Sequence, residues 1–72
     1  MKTTYDPEVD ALYIQLDEGD YECRTLRLTE EIALDIGPDE LLVGIEVMDA
    51  KRLIGNGELP TMKLENVSFI PA

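Results

Sequence analysis

Six Lys and Arg against sixteen Asp and Glu leave this 72-residue chain with a formal charge of −10, which repels a phosphate backbone and discounts DNA, RNA and anionic membranes as partners. A single cysteine, Cys23, and no histidine exclude an intrachain disulfide and the usual tetrahedral zinc sets. A chain this short hides only about 60% of its unfolded surface, and a core of that size rarely supplies more than ~3–5 kcal/mol, so oligomerisation is the support that remains.

Disorder is set aside by composition, because 44% of the residues are hydrophobic and fall in β-branched and leucine-rich runs. Met1 to Tyr5 leads straight into Asp6-Pro7-Glu8 with no apolar stretch, so no signal peptide is expected. No run approaches the ~20 apolar residues that span a bilayer. A lone cysteine fits a reducing cytoplasm, which is the expected location.

Turn chemistry divides the chain. Asp6-Pro7 introduces a first strand, Ala11 to Leu16, with Leu12, Ile14 and Leu16 on one face and Ala11, Tyr13 and Gln15 on the other. The loop Asp17-Glu18-Gly19-Asp20 follows. A second strand runs from Cys23 to Leu28, with Leu26 and Leu28 directed to the core beside polar Thr25 and Arg27. Ile32 to Ile36 alternates as a third strand, with Ile32, Leu34 and Ile36 opposite Ala33 and Asp35. Gly37-Pro38-Asp39-Glu40 then reverses the chain, because the proline ring presets φ at the second position of a four-residue turn. The fourth strand is Leu41 to Met48. Pairing Ile36 with Leu41 across that turn sets Leu34 opposite Val43 and Ile32 opposite Ile45, so that all six side chains share a face.

Asp49 is placed to cap a short helix over 49–54 that Gly55 ends. Asn56-Gly57 and Pro60 mark loop, and residues 60–71 are a tail or a final edge strand. The expected fold class is therefore α+β, mainly β: one domain over 1–72 with a small antiparallel β-meander of about four strands over 3–48, one short helix, and the C-terminal segment. The face opposite the core is anomalous. Tyr13, Ala33, Leu42, Gly44 and Met48 fall where a one-sided sheet would show mostly charge, and a short helix cannot shield two faces. They form the expected oligomer interface, most simply with a second copy in a homodimer.

Two stretches, Tyr5-Asp6-Pro7-Glu8-Val9-Asp10-Ala11-Leu12-Tyr13-Ile14 and Gly44-Ile45-Glu46-Val47-Met48-Asp49-Ala50, together with Asp35 before the tight turn, resemble the DUF2283 family of small uncharacterised proteins. The resemblance runs from about Tyr5 to Ala50. It implies a small β-rich fold and no established activity, and singles out Tyr5, Asp6, Asp10, Tyr13, Asp35, Gly44, Glu46 and Asp49 without assigning them a role. The family pattern often has glycine in the turn where this chain has Glu40, and the tail beyond Gly55 has no counterpart in it.

Candidate chemistry is sparse. Asp35 and Glu46 lie on one face, but the pairing above sets Asp35 opposite Leu42, ~13 Å along the strand from Glu46. Carboxyl pairs that act together on a glycosidic bond are ~5–9.5 Å apart. Arg27 is diagonal to Asp35 and suits an ordinary cross-strand pair. Asp6, Glu8, Asp10 and Asp17 occupy calcium-loop positions, yet Ala11 stands where that loop needs glycine. The turn Asp17 to Asp20, with Glu22, offers oxygen ligands only for weak divalent binding. Cys23 and Ser68 have no histidine to activate them, and Cys23 reads as a half-buried small hydrophobe. Tyr5 and Tyr13 read as packing residues with a polar tip.

These readings favour a non-enzymatic, self-associating interaction module without cofactor or metal. The alternatives are an acidic antitoxin-like inhibitor of a basic protein partner and a weak divalent-cation-binding protein.

Overall fold

The structure, a computed structural model, describes residues 1–58. The tail or edge strand expected over 60–71 lies outside the described residues. Five strands form one antiparallel sheet: β1 (Lys2–Asp6), β2 (Ala11–Gln15), β3 (Arg24–Arg27), β4 (Ile32–Ile36) and β5 (Leu42–Val47), followed by a one-turn helix α1 (Ala50–Leu53). The fold is mainly β with one short helix, as its alternating runs imply. There is one strand more than the about four expected, because Lys2–Asp6 pairs along its whole length with β2, Tyr5 opposite Leu12 and Asp6 opposite Ala11. Its sequence, Lys-Thr-Thr-Tyr-Asp, carries no hydrophobic alternation, so its strand character comes from its partner.

The spatial order is β1-β2-β5-β4-β3. Strands β3, β4 and β5 are the meander, and β2 lies beside β5, which completes a Greek key through the connection over residues 16–23. That connection packs across the sheet end through Tyr21, whose ring lies over Gly19 and whose Cβ would touch a side chain added at Gly37.

The β4–β5 register differs from the simple turn-based pairing by two residues. Leu34 faces Ile45 and Ile32 faces Val47, while Asp35 faces Gly44 and Ile36 faces Leu42. Val43 is left over as a β-bulge. Its carbonyl explains the offset, since it accepts the Leu16 and Asp17 N–H groups, just beyond the end of β2, at 2.7 and 3.2 Å. The turn itself is a single 3-10 turn, Pro38–Glu40, in which Asp39 and Glu40 both take left-handed backbone angles, φ 56° and 59°. The turn glycine of the family pattern now has a physical meaning, because only glycine adopts such angles without steric cost.

On the helix side of the bulge the two-residue offset leaves each apolar residue on its expected face. Tyr5, Leu12, Ile14, Ile45, Val47, Ile32, Leu34 and Leu26 share one side, as their pairings require. Helix α1 packs on this side at one end: Ala50 is fully buried against Leu12 and Val47, with Tyr5, Ile14, Ile45 and Leu53 around them. Four residues make a helix about 6 Å long, so it covers the β1-β2-β5 end and does not reach β3. Leu26 and Leu28, expected to face the core, are on the core side but remain 41% and 57% exposed.

Helix α1 is not capped by Asp49, which has left-handed backbone angles and makes no side-chain cap. Asp10, from the β1–β2 turn, takes that role. Its carbonyl accepts the Ala50 N–H at 3.0 Å and its carboxylate accepts the Lys51 N–H at 3.2 Å. The Asp49 carboxylate instead holds Arg52, which also reaches Glu31 at 3.5 Å.

Candidate functional site

Two clusters absorb most of the residues singled out from the sequence. The first is built on the β1–β2 turn, where Asp10 is itself left-handed, φ 53°, a conformation that Asp tolerates better than most residues. That angle accompanies a carboxylate that accepts the Tyr5 hydroxyl at 2.7 Å as well as the helix N–H. Asp6 stabilises the same turn by accepting the Glu8 N–H at 3.0 Å. Asp6 and Asp10 are therefore engaged in turn and helix contacts rather than pointed at a common centre. Among the described residues no three acidic or thiol side chains converge to hold a metal ion.

The second cluster lies on the opposite face, where the row Gln15, Gly44, Asp35, Thr25 adjoins the row Tyr13, Glu46, Ala33, Arg27. Tyr13 leans from its own row into the next. Its ring lies directly over Gly44, so that an added Cβ would fall within 3.0 Å of three Tyr13 atoms. The hydroxyl then donates to Asp35 Oδ2 at 2.9 Å, while Thr25 donates to Oδ1 at 3.1 Å. One carboxylate thus ties β2, β4 and β3 together across a glycine of β5.

This geometry revises the sequence pairing of Asp35. It faces Gly44, not Leu42, which places Glu46 only two residues further on, about 7 Å along the strand. Arg27 is opposite Ala33 and donates to the Glu30 carbonyl at 3.0 Å, so the expected Arg27–Asp35 pair is replaced by Thr25. Cys23 is exposed, not half-buried, and its thiol faces the Tyr21 carbonyl at 3.6 Å.

Of the residues read as an interface, Tyr13, Ala33 and Gly44 share this face, with Ala33 and Gly44 buried. Leu42 pairs with Ile36 across the bulge and so leaves that face. Met48 follows β5, half-buried, with its N–H on the Glu31 carbonyl at 2.8 Å. Open grooves among the described residues include one of about 270 Å³ with Asp6, Tyr13 and Glu46 in its walls and one of about 320 Å³ beside Cys23, Arg24 and Gly37.

Both tyrosine hydroxyls are held in the neutral, donating form. Tyr13 is pushed up to about 12 by burial and then by its hydrogen bond to Asp35. Tyr5 is pushed up to about 12 by its hydrogen bond to Asp10, with burial second. The negative charge of Asp17 raises Tyr21. At neutral pH these groups are hydrogen-bond donors, and the clusters they form join strands. Thr25 and the capping role of Asp10 escaped sequence reading, since both depend on which strands are neighbours.

Gly44→Ala is expected to cost about 1–3 kcal/mol by forcing Tyr13 off Asp35. In a Tyr13→Ala background the same substitution should cost less than about 1 kcal/mol, because nothing then occupies the space. Denaturant melts of the four proteins check this, and equal costs in both backgrounds would remove the Tyr13–Gly44 contact from the account. The raised tyrosines also set a pH dependence. The unfolded groups ionise near 10 and the folded ones at about 12, so between these values the unfolded chain holds fewer protons and stability falls as pH rises. Melts over this range should show a shallower fall for Tyr13→Phe than for the parent chain, and parallel curves would contradict it.

The family described as "Protein of unknown function (DUF2283)" matches residues 2–51, a span that contains all five strands and the start of α1. No curated protein and no solved structure is similar enough to this chain to count as a match. With both clusters inside the matched span, the chain belongs to the DUF2283 family.

Proposed function

We propose that this domain is a non-enzymatic, self-associating protein-interaction module whose partner is a second copy of the same chain. The observation that carries the reading is the end of the core face that no element covers among the described residues. Leu26 and Leu28 are 41% and 57% exposed beside half-buried Ile32 and Leu34, at the end of the sheet that α1 is too short to reach. Covering apolar area is worth about 25 cal/mol per Å². A domain this small gains more from that than a large one would, since its own core hides so little. The sequence pointed to the same need and placed it on the Tyr13 face. There Tyr13 itself occupies the space above Gly44, so the leucine end of the other face is the better surface.

The two tyrosine–carboxylate clusters support a structural role. Each carboxylate oxygen of Asp35 has a donor from a different strand, and Asp10 is shared between Tyr5 and a helix N–H. Groups engaged in this way hold strands in place and are not poised for proton transfer to a bound molecule.

Sedimentation at micromolar concentration should give twice the 8.1 kDa chain mass, and Leu26→Glu should return it to the single-chain value. A parent chain that sediments at 8.1 kDa throughout would sink the proposal.

A further inference from the structure

The self-association proposed above leaves its geometry open, and β3 supplies one. The Leu28 N–H donates to the Ile32 carbonyl at 2.8 Å, in register with the β3–β4 ladder. Hydrogen-bonded pairs alternate along an antiparallel ladder, so Leu26 and Arg24 turn their backbone groups toward β4. Thr25 and Arg27 turn theirs outward. Among the described residues no strand lies beyond β3, and all four of its residues are exposed. The edge therefore offers two outward N–H and two outward C=O groups.

From this we infer that two copies join edge to edge through antiparallel β3 strands, with a two-fold axis at Leu26. This rests on the self-association reading and assigns it a contact. In that register Thr25 of each copy faces Arg27 of the other, which pairs every outward backbone group in four hydrogen bonds. Leu26 meets Leu26 of the second copy on the core face, and Leu28 lies against the aliphatic stem of Arg24 from the second copy. On the other face, Arg27 of the second copy enters the row that runs through Thr25 to the Asp35 carboxylate.

Charge favours this edge and this register. Arg24 and Arg27 are two of only six basic residues in a chain of charge −10, which lowers the repulsion between two copies at β3; Arg24 also holds Glu40 at 2.8 Å. Sliding by two residues either sets Arg27 against Arg27, so that like charges meet although Leu26 then faces Leu28, or sets Leu26 against Arg24 and loses the leucine contact. Charged, short edge strands ordinarily discourage pairing. Here the pairing is isologous, so it consumes both β3 edges and closes at two copies.

Cysteine pairing tests the register. In a Cys23→Ser background, Leu26→Cys should form a disulfide-linked dimer under mild oxidation, since a non-hydrogen-bonded antiparallel pair brings Cα atoms to about 4.5 Å. Thr25→Cys alone should not self-link, because its counterpart lies about 7 Å along the strand as well as across it. A mixture of Thr25→Cys and Arg27→Cys chains should link to each other. A second variant needs no new thiol. Beyond the side-chain loss that it shares with Arg27→Ala, Arg27→Pro deletes an outward donor, and it should sediment as a monomer where Arg27→Ala remains a dimer. If the parent chain is a dimer but Leu26→Cys does not link, or Thr25→Cys links as readily, or Arg27→Pro stays dimeric, the β3 contact is overturned while self-association stands. A monomeric parent chain overturns both.

Discussion

Tyr13 lying across Gly44 to reach Asp35 is the interaction on which the rest of the architecture turns. It links β2 to β4 over β5, and it requires that β5 carry no side chain at that point. Antiparallel neighbours in sequence usually pair, which would set β2 beside β3. Instead β2 lies beside β5, and among the described residues the sheet ends on β1 at one side and on β3 at the other. A single contact on one face thus accompanies the topology that puts β3 at an edge, and that edge is where Leu26 and Leu28 of the other face stand exposed among the described residues.

The second constraint is the size of the helix. Asp10 sits at the end of the β1–β2 turn and binds the first N–H groups of α1, so the helix is fixed at the β1-β2-β5 end. Ala50 can be fully buried there because it is small enough to fit between Leu12 and Val47. A helix of one turn cannot also cover Leu26 and Leu28. Burial is therefore uneven by construction: tight beneath the helix and open toward β3.

Much of the strand content was legible in the sequence. Leu12, Ile14, Ile32, Leu34, Ile45 and Val47 alternate so regularly that their face was fixed before their partners were, and a two-residue error in the β4–β5 register did not change it. What the pattern could not carry was pairing. The bulge at Val43 depends on the N–H groups of Leu16 and Asp17 just beyond β2, and β1 is a strand only through its pairing with β2. The long connection over residues 16–23 was the one hint, since antiparallel hairpins seldom need loops of that length. The family-pattern residues became intelligible only in space: Gly44 makes room for Tyr13, Asp35 receives it, and Asp10 caps a helix forty residues away in the chain.

The central claim is that β3 is a contact edge, and amide hydrogen exchange followed against protein concentration tests it most directly. The Leu26 N–H, directed toward β4, should be equally protected at all concentrations. The Thr25 and Arg27 N–H groups should exchange freely when the protein is dilute and become protected as concentration rises. Exchange at Thr25 and Arg27 that stays fast at concentrations where the chain is associated would contradict the account.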